Sequence, residues 1–299
     1  MLAKAFATAS GGLTKPAATQ LRAHQREWLD FAQSACTDTA EPLVSGSYDE
    51  EGADCLARLF GRRTDVLEQS RMIGGHRFTV ASRYEVLPDP DAAADPDYYW
   101  KVATHELSYP LLDEDDPLAG DFNAFIQAET ADQASLNASS GGQEVALSNA
   151  QADTDNSLSI TAVNKARITL QSDSYWFGHG AAHGNWGVSY IHYLIDQQRA
   201  LQASDVFAGK GWETRLADLA FAQLQTEHSD ALQVESAEDI KDVVTLPSRW
   251  SFENDYGLTI QFEPYEVSAY AYGAPTILVR WENLEGLTAE GLDTIRYGF

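Results

Sequence analysis

Two imidazoles stand four residues apart in the run Tyr175-Trp176-Phe177-Gly178-His179-Gly180-Ala181-Ala182-His183-Gly184-Asn185-Trp186. On a helix, His179 and His183 would share one face and could hold a metal ion. Four glycines within or beside the run argue against a helix, and no paired carboxylate motif follows, so no metal is expected. The favoured reading is a tight glycine loop whose histidines bond to backbone and whose small residues let chain segments approach closely. A second run, Phe262-Glu263-Pro264-Tyr265-Glu266-Val267-Ser268-Ala269-Tyr270-Ala271-Tyr272-Gly273-Ala274-Pro275, carries strand pattern into Pro264, which cannot continue a central ladder. Tyr265, Tyr270 and Tyr272 are therefore expected on a loop. Tyrosines held rigidly there offer amphipathic contact area to a partner. A corner whose tyrosine hydroxyls tie down a turn is the compatible structural alternative.

Nucleophilic, phosphate-binding and dinucleotide signatures are missing: no G-x-S-x-G, no Walker A, no H-E-x-x-H and no Rossmann glycine set occurs. Two carboxylates could meet in space for glycoside chemistry, but no spacing singles them out. No catalytic residue and no cofactor is expected. Of 299 residues 45 are acidic and 20 basic, a net charge of −25, which excludes nucleic acid and anionic membrane as default partners. The same charge would steer a cationic partner, although solubility alone also accounts for it. The 44% apolar content describes a globular chain, and no apolar run is long enough for a membrane span. Met1 to Gly12 lacks the basic and apolar regions of an intact signal peptide. The residues thus allow either a cytosolic protein or one whose leader has been removed. Cys36 and Cys55 are the two cysteines; bridged, they would close a loop of about 20 residues, and otherwise they are two buried thiols.

The elements that must position these groups follow from periodicity. Residues 17–35 predict a helix with Leu21, Trp28, Leu29, Ala32 and Ala35 near one stripe, and 53–69 a second with Leu56, Leu59, Phe60 and Leu67. Pro42 to Glu51 is the loop between them, and Gly74-Gly75 ends this helical hairpin. Pro88 to Pro96 reads as an exposed loop, Tyr99 to Tyr109 as a strand ending at Pro110, and Leu118 to Ile126 as a helical stripe. Residues 133–156 read as a long surface loop containing the sequon Asn137-Ala138-Ser139. Further on, alternation at Leu158–Ala162, Ile168–Leu170, Val188–Ile195, Leu258–Phe262 and Ile277–Trp281 predicts strands. One helix capped by Ser204 is expected to run through Trp212, Leu216, Leu219 and Leu224. The fold class is α+β: an N-terminal all-α hairpin, residues 1–73, then an α+β domain, 74–299, with mainly antiparallel sheet.

The segment LRAHQREWLDFAQSAC…GADCLARLFGRRTDVLE resembles the latter part of the LprI-type lysozyme inhibitor domain, with Gln25, Trp28, Cys36, Cys55, Leu56 and Arg63 on its pattern. The remainder resembles the extracytoplasmic domain of RsiV-type anti-sigma factors, a module also found in PdaC-type deacetylases. HELSYPLLDEDDPLAGDFNAFI, SYWFGHGAAHGNWGVSYIHYLID, SDVFAG and GLTIQFEPYEVSAYAYGAPTILVRWENL carry that likeness in order. His179 stands where that family has glycine, and Ser268-Ala269 where Ala-Pro is common. The first resemblance implies a Cys36–Cys55 disulfide and a periplasmic or secreted location. The second implies an α+β domain whose relatives bind lysozyme, without an active site. The chain is therefore expected to be a binding protein and not an enzyme. Its expected partner is lysozyme or another cationic wall-active protein, contacted through Tyr265, Glu266, Tyr270 and Tyr272 with His183 nearby. The rival readings are a peptidoglycan-fragment module stacking sugars on Trp176 and Trp186, and a carboxylate-based wall hydrolase.

Overall fold

The structure is a computed structural model that describes residues 1–37, 48–95, 97–136 and 149–299, without the side chains of 132–136. The sequon and most of the loop before the second cysteine lie outside the described residues. The elements run α1 (Leu2–Ala9), α2 (Lys15–Cys36), α3 (Glu50–Glu68), β1 (Met72–Ile73), β2 (His76–Pro88), α4 (Pro90–Ala94), β3 (Val102–Leu112), α5 (Pro117–Leu136), β4 (Ala152–Val163), β5 (Arg167–Gly178), β6 (Asn185–Leu194) and β7 (Arg199–Ala200). They continue with α6 (Ala203–Val206), α7 (Trp212–Glu227), α8 (Lys241–Val244), β8 (Trp250–Ser251), β9 (Gly257–Gln261), β10 (Thr276–Arg280) and α9 (Leu292–Tyr297). One sheet has the order β1-β2-β3-β4-β5-β6-β7 and a second the order β10-β9-β8. The α+β class with mainly antiparallel pairing holds. The β3–β4 ladder is parallel, from His105↔Thr154 to Ser108↔Ser157, and α5 lies in the crossover that such pairing requires. Two compact units result: residues 1–159 with 175–184, and residues 160–174 with 185–299.

In the first unit, α2 starts where Thr14 accepts a hydrogen bond from the Ala17 N–H with Pro16 in the first turn. Its buried face is Ala17, Leu21, Trp28, Phe31 and Ala32; Leu29, expected on that stripe, is exposed, and Phe31 takes its place. Asp49 caps α3 through the Gly52 N–H at 2.8 Å, and Glu50 and Glu51 sit in the first turn, where helical N–H groups favour negative charge. Those two glutamates were expected in the loop. Gly52 is closely packed: a Cβ there would lie 3.0 Å from the Cys36 carbonyl. Trp28 meets Phe60 edge-on at 5.0 Å, and Phe31 meets Tyr84 of β2 at 5.0 Å. The buried face of α3 also carries Arg63, a residue only 1% exposed. It donates to Gln25 Oε1 at 3.0 Å, Ser82 Oγ at 3.0 Å and the Tyr84 hydroxyl at 2.7 Å. Cys36 and Cys55 form the disulfide that the family likeness implied, with Cα atoms 5.6 Å apart. Gly74 and Gly75, at φ 59° and 90°, make the two-residue turn of the β1–β2 hairpin.

The first unit departs from expectation at three further places. The 88–96 segment contains α4, because Asp89 accepts from the Asp91 N–H and Pro90 starts the helix. Strand β3 continues past Pro110, which pairs with Val80 beyond the stretch laddered to β4, where a missing N–H is tolerated. The stretch expected as loop to 156 gives way to β4 at Ala152.

In the second unit, Leu216, Ala217, Ala220 and Leu224 of α7 belong to one core with Leu258, Ile260, Phe262, Ile277, Val279 and Trp250. The helix expected from Ser204 onward is two helices. Gly209 and Gly211 interrupt it: a Cβ at Gly209 would lie 2.8 Å from Leu287, and Gly211 is left-handed at φ 77°. Trp281 does not extend β10; it opens a 3-10 turn, Trp281–Leu284. His192 is enclosed beside Arg167. Its Nε2–H donates to the Trp250 carbonyl at 2.8 Å, and its Nδ1 faces the Thr169 hydroxyl at 3.1 Å. Burial first, then Arg167, pushes its pKa down to about 3, so it is a neutral core histidine. Among the described residues no helix is long and apolar enough to cross a membrane.

Reduction of the bridge, or Cys36→Ser with Cys55→Ser, is expected to destabilise the fold by about 3 kcal/mol through the freed loop of the unfolded chain. Thermal melts with and without reductant, with thiol counting, check it; identical midpoints would show that the bridge contributes nothing.

Candidate functional site

The tyrosine-bearing segment follows β9 in the second unit. Its base is clamped by Gln261, buried, whose Nε2 donates to the carbonyls of Phe262 at 2.7 Å and Ala274 at 3.0 Å, while the Phe262 N–H donates to the Pro275 carbonyl at 2.9 Å. Arg249, 9% exposed, then ties the loop's two glutamates: Nη1 lies 3.0 Å from Glu263 Oε1 and Nη2 2.7 Å from Glu266 Oε1. Glu266 Oε2 accepts the Glu263 N–H at 2.7 Å. Burial raises the Glu266 pKa, which the Glu263 N–H and Arg249 partly offset. Glu266 thus shapes the loop from inside. Gly187 lies directly beneath: a Cβ there would come within 2.9 Å of Glu263 Oε1 and 3.1 Å of Ser174 Oγ.

Tyr265 and Tyr270 meet ring to ring at 5.3 Å, and Tyr270–Tyr272 forms a 3-10 turn closed by Gly273 at φ 85°. Tyr265 itself sits at φ 73°, a conformation that costs a non-glycine residue about 1–3 kcal/mol, with its ring 57% exposed. The hydroxyl of Tyr272 bonds to His228 Nδ1 at 2.8 Å, and His228 Nε2–H donates to the Thr276 carbonyl at 3.1 Å. The Tyr272 hydroxyl thus ties the turn, as the structural alternative expected, and Tyr265 and Tyr272 are exposed. Sequence reasoning missed Arg249, Glu263, His228 and Gly187. Glu263 lay within the tyrosine-bearing run and Gly187 just beyond the glycine-rich one; Arg249 and His228 carried no signal.

The glycine-rich run ends β5, turns over residues 179–184 and enters β6; it is a turn, as the glycines suggested, not a helix. His183 is exposed and its Nδ1–H donates to the Gly184 carbonyl at 2.8 Å; it belongs to the first unit, the tyrosine loop to the second. His179 departs from the expected backbone bonding. Its side chain is enclosed, Nδ1 bonds to Asp89 Oδ2, and Nε2 faces Asp153 Oδ2 at 3.5 Å. Burial raises the Asp89 pKa, but bonds from His179 and the Asp91 and Ala92 N–H groups together hold it below the usual range. Among the described residues no group of histidine, cysteine or carboxylate side chains could hold a metal ion. Trp176 is 39% exposed, and Trp186 is half-buried with its indole beside Gly273.

A separate cavity of about 190 Å³ lies in the first unit among Arg62, Asp65, Gln69, Tyr84, Glu106 and Asp155. Arg62 bridges Glu106 at 2.8 Å and Asp155 at 3.0 Å. Burial, then Asp155 and Asp153 against the pull of Arg62 and Arg63, raises the Glu106 pKa to about 7.

With these sites in place, the chain reads as a two-part α+β protein built around side-chain pins and an exposed aromatic loop. Residues 1–67 match the family described as lysozyme inhibitor LprI, and residues 204–282 match a protein family of unknown function, DUF3298. An LprI domain at the N-terminus is thus followed by a DUF3298 domain, the RsiV- and PdaC-like module that the sequence resembled. A DUF3298 family structure from Bacteroides fragilis is similar at 17% identity, covering 74% of this chain and 96% of that one, with a TM-score of 0.50. Another from Pseudomonas aeruginosa is 16% identical over 73% of this chain and 96% of that one, with a TM-score of 0.47. The first likeness bears on the fold alone. No curated protein matches.

Two outcomes are expected. Glu266→Ala leaves the Glu263 N–H and one side of Arg249 unpaired and costs about 2 kcal/mol, measured by urea unfolding. For Glu106, the folded state holds a proton that the unfolded chain has already released. Its contribution is complete below pH 4.5 and falls by about 3 kcal/mol as pH rises to about 7. Glu106→Gln flattens that dependence; unfolding midpoints at pH 5 and 8 that shift equally in both proteins would refute it.

Proposed function

We propose that this chain is an extracytoplasmic lysozyme-binding protein that inhibits by occupying the lysozyme cleft and carries out no turnover of its own. The match of residues 1–67 to a lysozyme inhibitor family carries this reading. That match and the Cys36–Cys55 bridge suggest an extracytoplasmic protein, since such bridges persist in oxidising compartments. The net charge of −25 suits a strongly basic partner by speeding encounter. Tyr265, Tyr270 and Tyr272 are the proposed aromatic contacts, with His183 a further one. Glu266 serves them through Arg249 and the Glu263 N–H as a positioning residue.

Titration against lysozyme by calorimetry at two salt concentrations, with a wall-lysis assay alongside, tests the reading. Binding that weakens with salt and slows lysis is expected. Binding with unchanged lysis would remove the inhibitory part. No heat at low salt, at concentrations that detect micromolar affinity, would overturn the reading and turn attention to peptidoglycan fragments.

A further inference from the structure

The turn of the first unit supports a cluster that the tyrosine loop does not use. Trp100 stacks on the His179 ring, centroids 5.5 Å apart and planes 11° apart. Around it lie Tyr98 at 5.6 Å, Tyr99 at 5.1 Å and Phe177 at 6.1 Å. Tyr99 is 74% exposed although it sits on an aromatic cluster, an arrangement that marks a contact surface better than a scattered surface tyrosine does. The ridge is fixed from below. His179 is held by Asp89, and Asp89 is held as the cap of α4. Asp153, which faces the other ring nitrogen, is held by the Thr104 N–H at 2.7 Å and hydroxyl at 2.9 Å. The base of the ridge therefore needs no ordering on binding.

We propose that the ridge Tyr98, Tyr99, Trp100 and Phe177, rimmed by Asp91 and Asp97, is a docking surface for arginine and lysine side chains of a strongly basic protein. The naming of lysozyme as that protein rests on the proposed function. Charge selects this occupant. Residues 89–101 carry four aspartates and one lysine, and Asp91, Asp95 and Asp97 are exposed. Aromatic faces attract cations, and carboxylates at their edge complete the recognition. An apolar partner would instead desolvate those carboxylates without offering them a cation. The Tyr98 hydroxyl is held above its usual range by partial burial and by the negative charge of Asp89 and Asp91, consistent with negative potential at the ridge. Tyr99 and Asp97 can be changed without touching the pinned base.

The experiment compares wild type, Tyr99→Ala and Asp97→Asn against three probes: lysozyme, an oligo-arginine peptide and a chitooligosaccharide. Unchanged thermal midpoints establish that the variants are folded. Both variants are expected to weaken lysozyme and peptide about tenfold, with a shallower salt dependence for Asp97→Asn. Lysozyme binding that neither variant changes would overturn the docking surface and leave the proposed function standing. Peptide binding that Tyr99→Ala weakens, without any lysozyme binding to wild type, would keep the surface and overturn lysozyme as its partner. Binding of the sugar alone, or of no probe, would overturn the surface.

Discussion

Arg63 is the constraint around which the first unit is arranged. A guanidinium cannot shed its charge, and leaving it enclosed without partners would cost several kcal/mol. Its Nε meets Gln25 on α2 and its Nη1 meets Ser82 and Tyr84 on β2, so one cation ties helix to helix and helix to sheet. The partners are neutral; Glu106 acts on it only through its field. Truncating Arg63 would leave Gln25, Ser82 and Tyr84 facing a void, which explains why an arginine interrupts the apolar stripe between Leu59 and Leu67.

The LprI-pattern residues can now be read physically. Gln25 meets Arg63, Cys36 meets Cys55, and Trp28 and Leu56 share a core cluster. All six are consumed by internal contacts. The signature therefore specifies a fold, and partner choice must rest on residues that the signature leaves outside. The closing motif of the second unit divides in the same way. Gln261, Glu263 and Glu266 hold the loop, while Tyr265 and Tyr272 are presented by it. A left-handed tyrosine is tolerated there because the clamp below over-determines the backbone.

Periodicity made the helices α2 and α3, most strands and the α+β class legible, because those segments bury one face. It failed where tertiary contacts set the local conformation. Leu29 and Phe31 lie two residues apart and are both apolar, and Phe31 is the one that turns inward, packing with Trp28 and Leu56 and against the Tyr84 ring. Pro110 looked like a strand end, yet sheet pairing is local and the ladder to β4 ends at Ser108, before the proline is reached. The aspartates and prolines of 88–96 read as loop, whereas Asp89 is buried because a histidine 90 residues away needs a carboxylate. The glycine run predicted its turn, since glycine acts through its own backbone; the fate of its two histidines depended on partners no local pattern contains.

Buried charge also sharpens what the acidic composition means. Arg63, Arg167 and Arg249 are buried, while among the described carboxylates only Asp89 is. Enclosed charges still add to the distant field, so steering of a basic partner is set by the full −25. At contact distance the balance differs. A partner touching the surface meets a still smaller share of cations than composition states, because three arginines are engaged in holding the fold. The fold's use of arginine as internal pins and the surface's excess of carboxylate are therefore one arrangement: each enclosed cation stabilises an element and removes a competitor from the face that a cationic protein would approach.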